Sequence, residues 1–370
     1  MNRPVTAIQE CSRYEEHMVL RAVQEICSAA ELPPLTGKRV LVKPNILSDA
    51  APNRAVTTHP LVLKAVLSCV LDAGGIPVVG DSPAVHLPAF SGYGCGLHQV
   101  CDAMGVQWVD FTRQSVDLPI PAPCSQPMIT VTRYASEADL IISACKMKTH
   151  QLLYMTGAVK NLFGTVPSFQ KSPYHLIYPG RDAFGAFIAG IYSALPPVFA
   201  VMDGIIAMEG PGPNNGYPKL MRALLASRDC GAVDAAACIM MGYDPDDMPV
   251  HKAMVRMELT GARTQDDVDY PLRRPEDLKR EDFLRVTMKK RTRIFWDMLY
   301  PRLFPKKRRF AETLGIDEHR CTRCGSCKMI CPNQAVIGDN GRYIIDQNRC
   351  IRCFCCHEVC PADAIAVTTK

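Results

Sequence analysis

The feature that most constrains this 370-residue chain is a pair of matching cysteine runs near its C-terminal end. Each run has the form C-x2-C-x2-C-x3-C and is followed directly by a proline. The first run is Cys321, Cys324, Cys327 and Cys331 before Pro332, and the second is Cys350, Cys353, Cys356 and Cys360 before Pro361. This spacing is typical of proteins that hold [4Fe–4S] clusters, because three closely spaced thiolates can bind three corners of one cubane. The sequence therefore predicts two [4Fe–4S] clusters.

The fourth cysteine of each run is expected to bind the cluster of the other run. One cluster is then predicted to be held by Cys321, Cys324, Cys327 and Cys360, and the second by Cys350, Cys353, Cys356 and Cys331. Cys355 lies between two ligands of the second run, and we interpret it as a bystander thiol. Zinc is the alternative metal, but structural zinc sites use a paired C-x2-C layout instead of these four-cysteine runs.

Residues 316–370, which contain both runs, resemble a bacterial two-cluster ferredoxin. The resemblance implies electron transfer with a redox partner protein. A unit of about fifty residues buries little apolar core, so we expect the clusters to contribute to its stability.

The rest of the composition is typical of a globular protein in a reducing compartment. The chain is 48% hydrophobic and 21% charged, and no apolar run reaches the roughly 18 residues needed to cross a bilayer. Residues 1–16 lack the apolar core of a signal peptide. Many of the 18 cysteines are scattered through apolar stretches, which suits a compartment where thiols stay reduced. We therefore expect a cytoplasmic location.

Residues 1–270 alternate short apolar segments with helix-like segments. Strands are predicted at 38–42, 76–79, 106–111, 138–144 and 198–202, and helices at 15–30, 60–73 and 99–104. Strands that alternate with helices favour a mostly parallel sheet with helices on both faces. The predicted fold class is therefore α/β, with a small α+β two-cluster ferredoxin-like domain at the C-terminus.

Polar side chains follow several of these predicted strands. In a parallel sheet, ligands bind beyond the carboxyl ends of the strands. The residues collected there are Lys43, Asn45, Asp81, Lys146, Lys148, His150 and Asp203, with Lys160, Asn161 and Glu209 in nearby glycine-bearing segments. As a set they predict a site that binds an anionic substrate and moves protons. Any one of these lysines taken alone is better explained as a solvated loop charge, and only the set as a whole favours a binding site.

Four of these residues are our candidate catalytic residues: Lys146, Lys148, Asp81 and Asp203. The two lysines follow the most apolar predicted strand, so they are the preferred counter-charges for an anion. We expect only one of the two lysines to face the ligand.

The same segments resemble the motifs of the domain-of-unknown-function 362 family. The matching segments are residues 42–45, 58–60, 80–83, 146–150, 157–164 and 202–212. The resemblance spans about residues 38–245, and members of that family often carry a ferredoxin module at the C-terminus. It implies no particular reaction, so we transfer no catalytic role from it.

A basic segment follows the α/β part of the chain. Between Arg285 and Arg309 there are ten lysines or arginines against one acid, Asp297. The segment can be a solvated connecting helix over residues 284–300, a peripheral contact with an anionic membrane surface, or a docking site for an acidic redox partner. No recognised nucleic-acid-binding module accompanies it, so nucleic acid is not an expected partner.

The predicted organisation is an α/β domain over residues 1–270, a basic connecting segment over 271–315 and a ferredoxin-type domain over 316–370. No dinucleotide-binding, P-loop or hydrolase-elbow motif occurs. The favoured hypothesis is a redox enzyme whose two clusters exchange electrons with an anionic small molecule at the α/β domain. The alternatives are an electron carrier whose α/β domain docks a partner, and a protein whose clusters are purely structural.

Overall fold

The computed structural model describes residues 3–83, 92–121, 124–287, 312–339 and 342–369. The strands are β1 (Thr6–Glu10), β2 (Arg39–Pro44), β3 (Ile76–Asp81), β4 (Gln107–Asp110), β5 (Ser115–Pro119), β6 (Met128–Thr132), β7 (Leu140–His150), β8 (Tyr154–Thr156), β9 (Val198–Glu209), β10 (Tyr217–Ser227), β11 (Glu312–Ile316), β12 (Val336–Asp339), β13 (Arg342–Ile345) and β14 (Ile365–Thr369).

The helices alternate with these strands through the first two thirds of the chain. They are α1 (Glu16–Ala29), α2 (Pro60–Asp72), α3 (Leu97–Met104), α4 (Arg133–Ser136), α5 (Ala158–Asn161), α6 (Ser168–Ile177), α7 (Arg181–Ala194), α8 (Cys230–Met240), α9 (Pro249–Arg256), α10 (Ser326–Ile330) and α11 (Cys355–Glu358). Short 3-10 turns lie at Pro52–Arg54, Leu162–Thr165, Pro245–Asp247, Gln265–Asp267 and Pro275–Leu278.

The large domain is built on one mostly parallel sheet with the strand order β1-β10-β9-β7-β2-β3-β4. The five strands from β9 to β4 are parallel to one another, and β10 and β1 continue the sheet in antiparallel fashion at one edge. The α/β prediction is thus confirmed. A parallel centre brings the carboxyl ends of β2, β3 and β7 to one edge, which is where such folds bind ligands.

Two apolar cores lie on the two faces of this sheet, because successive side chains of a strand point to opposite faces. On one face, Val40 and Val42 of β2 pack with α1, α2 and α3. On the other face, Leu41 belongs to a core that includes α5, α7, α8 and α9. This second core continues into the small domain through Phe354 and Ile365, so the two domains are packed against each other.

Strand β7 is longer than the sequence pattern predicted. Residues 146–150 were expected to form a loop after the strand, but they are part of β7, which is buried along all of its 11 residues. The extension is supported by β8, which pairs antiparallel with residues 148–150 and satisfies their backbone groups. Strand β9 likewise runs on to Glu209, so Asp203 lies inside a strand.

The small domain consists of two antiparallel strand pairs and two short helices, each of which contains one cysteine of a run, Cys327 or Cys356. Strand β11 pairs with β14 and β12 pairs with β13, both antiparallel. The domain therefore includes residues 312–315, which the predicted boundary placed in the connecting segment. Of the helix predicted over 284–300, residues 284–287 are not helical. The remainder of that segment, and most of the basic stretch between Arg285 and Arg309, lies outside the described residues.

Candidate functional site

The carboxyl ends of β2 and β3 place Lys43 and Asp81 in a buried ion pair. The Lys43 Nζ atom lies 2.8 Å from Asp81 Oδ1, and the two side chains are only 1% and 2% exposed. The Asp81 carboxylate also accepts the backbone N–H groups of Ile46 and Ser82, each at 2.7 Å. Burial acts to raise the pKa of Asp81, and the Lys43 and Lys171 ammonium groups oppose that effect. The pair is thus a fixed feature of the sheet edge.

Asn161 ties this pair to helix α5. Its side-chain amide donates to Lys43 O at 3.0 Å and to Ser143 Oγ at 3.1 Å, while its Oδ1 accepts from Lys43 Nζ at 3.0 Å and from Asn45 Nδ2 at 3.1 Å. These four contacts fix the orientation of the amide and hold Lys43 and Asn45 at the same edge.

Two glycines leave room for the buried carboxylates of Asp81 and Asp234. A Cβ atom at Gly164 would lie 2.2 Å from Asp81 Oδ1 and 2.5 Å from Lys43 Nζ. A Cβ atom at Gly157 would lie 2.0 Å from Asp234 Oδ1. Asp234 in turn accepts the backbone N–H groups of Ala158 and Val159 at the start of α5, at 2.6 and 3.1 Å. Burial raises the pKa of Asp234 to about 7 although those two hydrogen bonds oppose the shift.

Three further lysines, Lys148, Lys160 and Lys171, face the same space. Lys148 Nζ donates to Val56 O at 2.6 Å, and Lys171 Nζ donates to the carbonyl oxygens of Ser82 and Pro83. Burial lowers the pKa of all three ammonium groups, to about 7 for Lys171. A buried lysine with a lowered pKa can give or take a proton near neutral pH.

His150 at the end of β7 contacts the small domain. Its Nδ1 atom accepts the backbone N–H groups of Leu152 and Leu153, at 3.1 and 3.2 Å, so the ring proton lies on Nε2. That atom is 2.8 Å from Glu358 Oε1, a close electrostatic contact without good hydrogen-bond alignment. Burial lowers the pKa of His150 to about 4. Although burial acts to raise the pKa of Glu358, His150 and Lys160 lower it overall, so this carboxylate is ionised.

These side chains enclose a space that we call the interdomain cavity. Its volume is about 90 Å³. The polar lining residues are Lys43, Asn45, Asp81, Ser82, Lys148, His150, Thr156, Lys160, Asn161, Lys171, Ser172, His175, Cys355 and Glu358, and the apolar ones are Ile46, Leu47, Phe163, Phe184, Pro213, Ile330 and Val359, with Gly164. Cys355, Glu358, Val359 and Ile330 come from the small domain, so both domains form its wall.

Further contacts hold the small domain over the cavity. Arg181 Nη2 donates to both carboxylate oxygens of Glu312, at 2.8 and 3.1 Å. Asn215 Nδ2 donates to the carbonyl oxygens of His357 and Cys360, at 3.4 and 3.5 Å. A charge-assisted hydrogen bond of this kind is stronger than a neutral one, and here it joins the two domains.

The structure brings together Lys43, Asn45, Asp81, Lys148, His150, Lys160 and Asn161 of the predicted set, but it places Lys146, Asp203 and Glu209 elsewhere. Lys146 Nζ is paired with Asp203 Oδ2 at 2.8 Å. Glu209 accepts the backbone N–H of Leu284. On a regular strand, residues two apart share a face. Lys146 and Lys148 separate because the pairing of β7 with β9 shifts register between them.

Three acid–base residues of this cavity, Lys171, His175 and Glu358, were not in the set predicted from the sequence. Lys171 and His175 lie on α6, one turn apart, and that i,i+4 spacing on a helix-like segment was the available signal. His175 stacks on Phe184 with ring centroids 4.1 Å apart, and burial lowers its pKa to about 4. Glu358 had no comparable signal, because its contact with His150 joins residues more than 200 positions apart.

The small domain has a cavity of its own that is lined by cysteines. Its lining includes Cys321, Cys324, Cys327 and Cys360, the four side chains predicted to hold one cluster. Cys350 lies within electrostatic range of Cys353 and Cys331, which belong to the other predicted set. Backbone N–H groups of Ala335 and Ala364 donate to the sulfurs of Cys331 and Cys360, each at 3.2 Å. Thiolates grouped in this way and stabilised by N–H donors fit a [4Fe–4S] cluster.

The fold and these two cavities define an α/β protein joined to an iron–sulfur domain of ferredoxin type. Comparison with protein families agrees with that description. The model described as "Domain of unknown function (DUF362)" matches residues 40–239, and the model described as "4Fe-4S dicluster domain" matches residues 313–361. The chain belongs to the DUF362 family and carries a 4Fe–4S cluster-binding domain at its C-terminal end.

Two individual proteins show the range of similarity. The thylakoid-associated protein sll1697 of Synechocystis sp. (strain ATCC 27184 / PCC 6803 / Kazusa) is 35% identical over 246 residues, which are 65% of this chain and 74% of that protein. The lactate racemase apoprotein from Thermoanaerobacterium thermosaccharolyticum matches with a TM-score of 0.38 and 14% identity, over 65% of this chain and 57% of that one. Within the described residues, none of the helices has the length and apolar character required to span a bilayer.

Proposed function

We propose that this protein is an iron–sulfur oxidoreductase that exchanges electrons between two [4Fe–4S] clusters and a small anionic molecule bound in the interdomain cavity. The observation that carries the proposal is that both domains contribute residues to the cavity wall. Lysines at the carboxyl edge of the sheet form one side. Helix α11, which contains the predicted cluster ligand Cys356, forms the other. A molecule in this cavity would touch both the sheet edge and the cluster-binding domain.

The residues of the cavity match the requirements of such a reaction. A bound [4Fe–4S] cluster supplies or accepts single electrons, so two clusters correspond to the two-electron change of a closed-shell small molecule. A redox partner protein would deliver or remove those electrons. Lys171, with its pKa lowered to about 7 by burial, can give or take a proton at the cavity wall. The lysines hold an anionic substrate by charge-assisted hydrogen bonds.

The experiment begins with protein prepared and kept without oxygen. Two cubanes predict about eight iron and about eight sulfide per chain. The reduced protein is then mixed with a panel of small anions, and the visible absorbance of the clusters is followed. Oxidation that depends on one anion and shows saturation supports the proposal. Iron near zero with about two zinc, or cluster oxidation that is independent of every anion in the panel, would overturn it.

A second candidate function is electron carriage without a substrate, with the α/β domain serving only to dock a partner. It is favoured by an exposed apolar surface on the small domain. Ile337 and Ile344 face each other across β12 and β13 and are 42% and 61% exposed, and Met329 in α10 is 73% exposed. Apolar surfaces of this kind mark protein–protein contacts. The anion panel separates the two functions, because a carrier shows no anion-dependent oxidation.

For the location we propose the cytoplasm, with a peripheral membrane contact as the alternative. The alternative is supported by the thylakoid association of the Synechocystis relative and by the ten cationic residues between Arg285 and Arg309. Basic segments are attracted to anionic lipid surfaces. Flotation with vesicles that contain anionic lipid, compared with neutral vesicles, distinguishes the two locations.

A further inference from the structure

The four lysines of the interdomain cavity differ in their protein partners. Lys43 is paired with Asp81. Lys148 donates to a backbone carbonyl, and Lys171 donates to two. The Lys160 side chain has no hydrogen bond or ion pair within the part of the chain that the structure describes, and its surroundings act on it only through longer-range charge.

The Lys160 ammonium lies on the cavity side of α5. Its charge acts on Lys148, His150 and His175, all of which line the cavity. The strongest opposing charge acting on Lys160 is that of Glu358, which is already engaged by His150. Burial lowers the pKa of Lys160. Lys160 as a residue is only half-buried, but its side chain lines the cavity without a protein acceptor. An ammonium group that has lost water and gained no acceptor in return costs free energy.

We infer that Lys160 is the docking cation of the cavity and that its ligand is a small oxyanion of a few non-hydrogen atoms. The inference rests on the proposed function only in taking this cavity as a ligand site. The charges agree with it: Lys43 and Asp81 balance each other, and Lys148, Lys160 and Lys171 outnumber Glu358. The cavity therefore attracts an anion, and Lys160 is the cation left free to bind it.

The size of the cavity limits the ligand. A cavity of about 150 Å³ holds a benzene-sized molecule, and the interdomain cavity has about 90 Å³. It therefore accommodates an anion of roughly three to five non-hydrogen atoms. Short carboxylates and inorganic oxyanions share this chemistry, and both offer a charged oxygen to an ammonium group. Larger aromatic carboxylates such as benzoate exceed the space.

The test measures binding alone, without turnover. Full-length protein with oxidised clusters is titrated by calorimetry with acetate, propionate, nitrate and inorganic phosphate, and with benzoate as the oversized probe. We expect at least one of the four small anions to bind, and benzoate not to bind. Lys160→Met should weaken the binding by about tenfold to a hundredfold, the effect of losing one charge-assisted hydrogen bond. Lys252→Met, which alters an exposed lysine on α9, should leave it unchanged.

A melting curve without added anion separates docking from a structural role. If the Lys160 side chain has no partner in the protein, Lys160→Met should melt at the same temperature as the parent or higher, since an ammonium group without a protein acceptor is removed. Binding by carboxylates alone, by inorganic oxyanions alone or by both supports the inference and identifies the source. Absence of binding by all four, equal binding by Lys160→Met, or binding of benzoate as tight as that of acetate overturns it.

The outcomes also remain distinct from those of the proposed function. Anion binding that depends on Lys160 but never oxidises reduced clusters would overturn the oxidoreductase proposal and leave the docking role intact. Anion-dependent oxidation that is unaffected by Lys160→Met would do the reverse.

Discussion

Two buried lysine–aspartate pairs in the same sheet share their geometry and burial but differ in their neighbours. Lys43–Asp81 and Lys146–Asp203 each have a 2.8 Å separation, and all four side chains are 2% exposed or less. The first pair lines the interdomain cavity, and the second does not. Ion pairs with the same distance and burial can therefore line a ligand site or lie in the protein interior, depending on the residues around them.

The neighbours of Lys146–Asp203 form a closed network. Tyr14 donates its hydroxyl to Asp203 Oδ1 at 2.7 Å and accepts from Lys146 Nζ at 2.9 Å. The backbone N–H of His59 donates to Asp203 Oδ2 at 2.9 Å, and the His59 ring stacks on Tyr14 with centroids 3.6 Å apart. A buried pair that is satisfied on all sides serves to hold α1, α2 and the sheet together, and it offers no site to a ligand.

The largest expected effect tests whether the cluster-binding domain contributes to the anion site beside the Lys43–Asp81 pair. Cys353→Ser removes a predicted ligand and should lower the iron content by about half, since one of two clusters loses a thiolate. Because α11 forms part of the cavity wall, we also expect weaker anion binding beside Lys43–Asp81. Iron analysis and calorimetry measure the two effects. Cys355→Ser is the matched control and should keep both clusters; equal iron loss in the two variants would refute the ligand assignment.

The next effect concerns stability and contrasts the two aspartates directly. Asp203→Asn should lower the free energy of unfolding of the large domain by about 3–5 kcal/mol, because Lys146 is left charged and uncompensated inside a closed network. Asp81→Asn should cost less, because Lys43 keeps the Pro44 carbonyl and Asn161 as acceptors. Denaturant unfolding followed by far-UV circular dichroism measures both. Equal losses would mean that the two pairs have the same structural role.

A smaller effect contrasts the two lysines of β7. Lys148→Met should weaken anion-linked electron transfer by about tenfold to a hundredfold, corresponding to about 1.5–3 kcal/mol for a charge-assisted hydrogen bond, with little change in stability. Lys146→Met should instead lower the melting temperature and leave the rate per folded molecule unchanged. Stopped-flow oxidation of the reduced clusters gives the rates. Loss of rate in Lys146→Met without loss of stability would return Lys146 to the candidate site.

The sequence predicted the sheet edge better than the individual residues on it. The α/β class, the positions of the central strands and the ferredoxin-type cysteine runs follow from local patterns, namely apolar periodicity and short spacings, whereas the ends of β7 and β9 do not. Lys146 and Lys148 show where local patterns stop being sufficient. A regular strand would place both on one face, and only the shifted pairing of β7 with β9 sends them to different surroundings. Register irregularities of this kind depend on the partner strand, which no window around residue 147 contains.

The cavity wall could not be predicted for a second reason. Its anionic member Glu358 belongs to a cysteine run whose spacing is explained by cluster binding, so nothing in the local sequence points to β7. Docking of the domains creates its contact with His150, and docking depends on distant pairs such as Arg181 with Glu312. A candidate site at the meeting of two domains is thus visible in sequence as two separate half-sites, of which only the lysine half was recognised.

The smallest expected effect is a pH dependence confined to the cavity. Burial lowers the pKa of Lys171 to about 7. The carboxylates of Asp81 and, more weakly, Glu358 oppose this shift, whereas the positive charges of Lys43 and Lys160 add to it. Its ammonium form, which attracts an anion, is therefore complete below that pH and is lost as the pH rises. His150 and His175, with pKa values of about 4, stay neutral over this range and do not contribute. We expect anion affinity to fall by up to about tenfold between about pH 6 and about pH 8.5.

The variant Lys171→Met tests this assignment. It should bind the anion more weakly than the parent at about pH 6, and its affinity should change much less with pH. Its melting temperature should match that of the parent, because the Lys146–Asp203 network is untouched. A profile in Lys171→Met as steep as that of the parent would assign the titration to another cavity lysine.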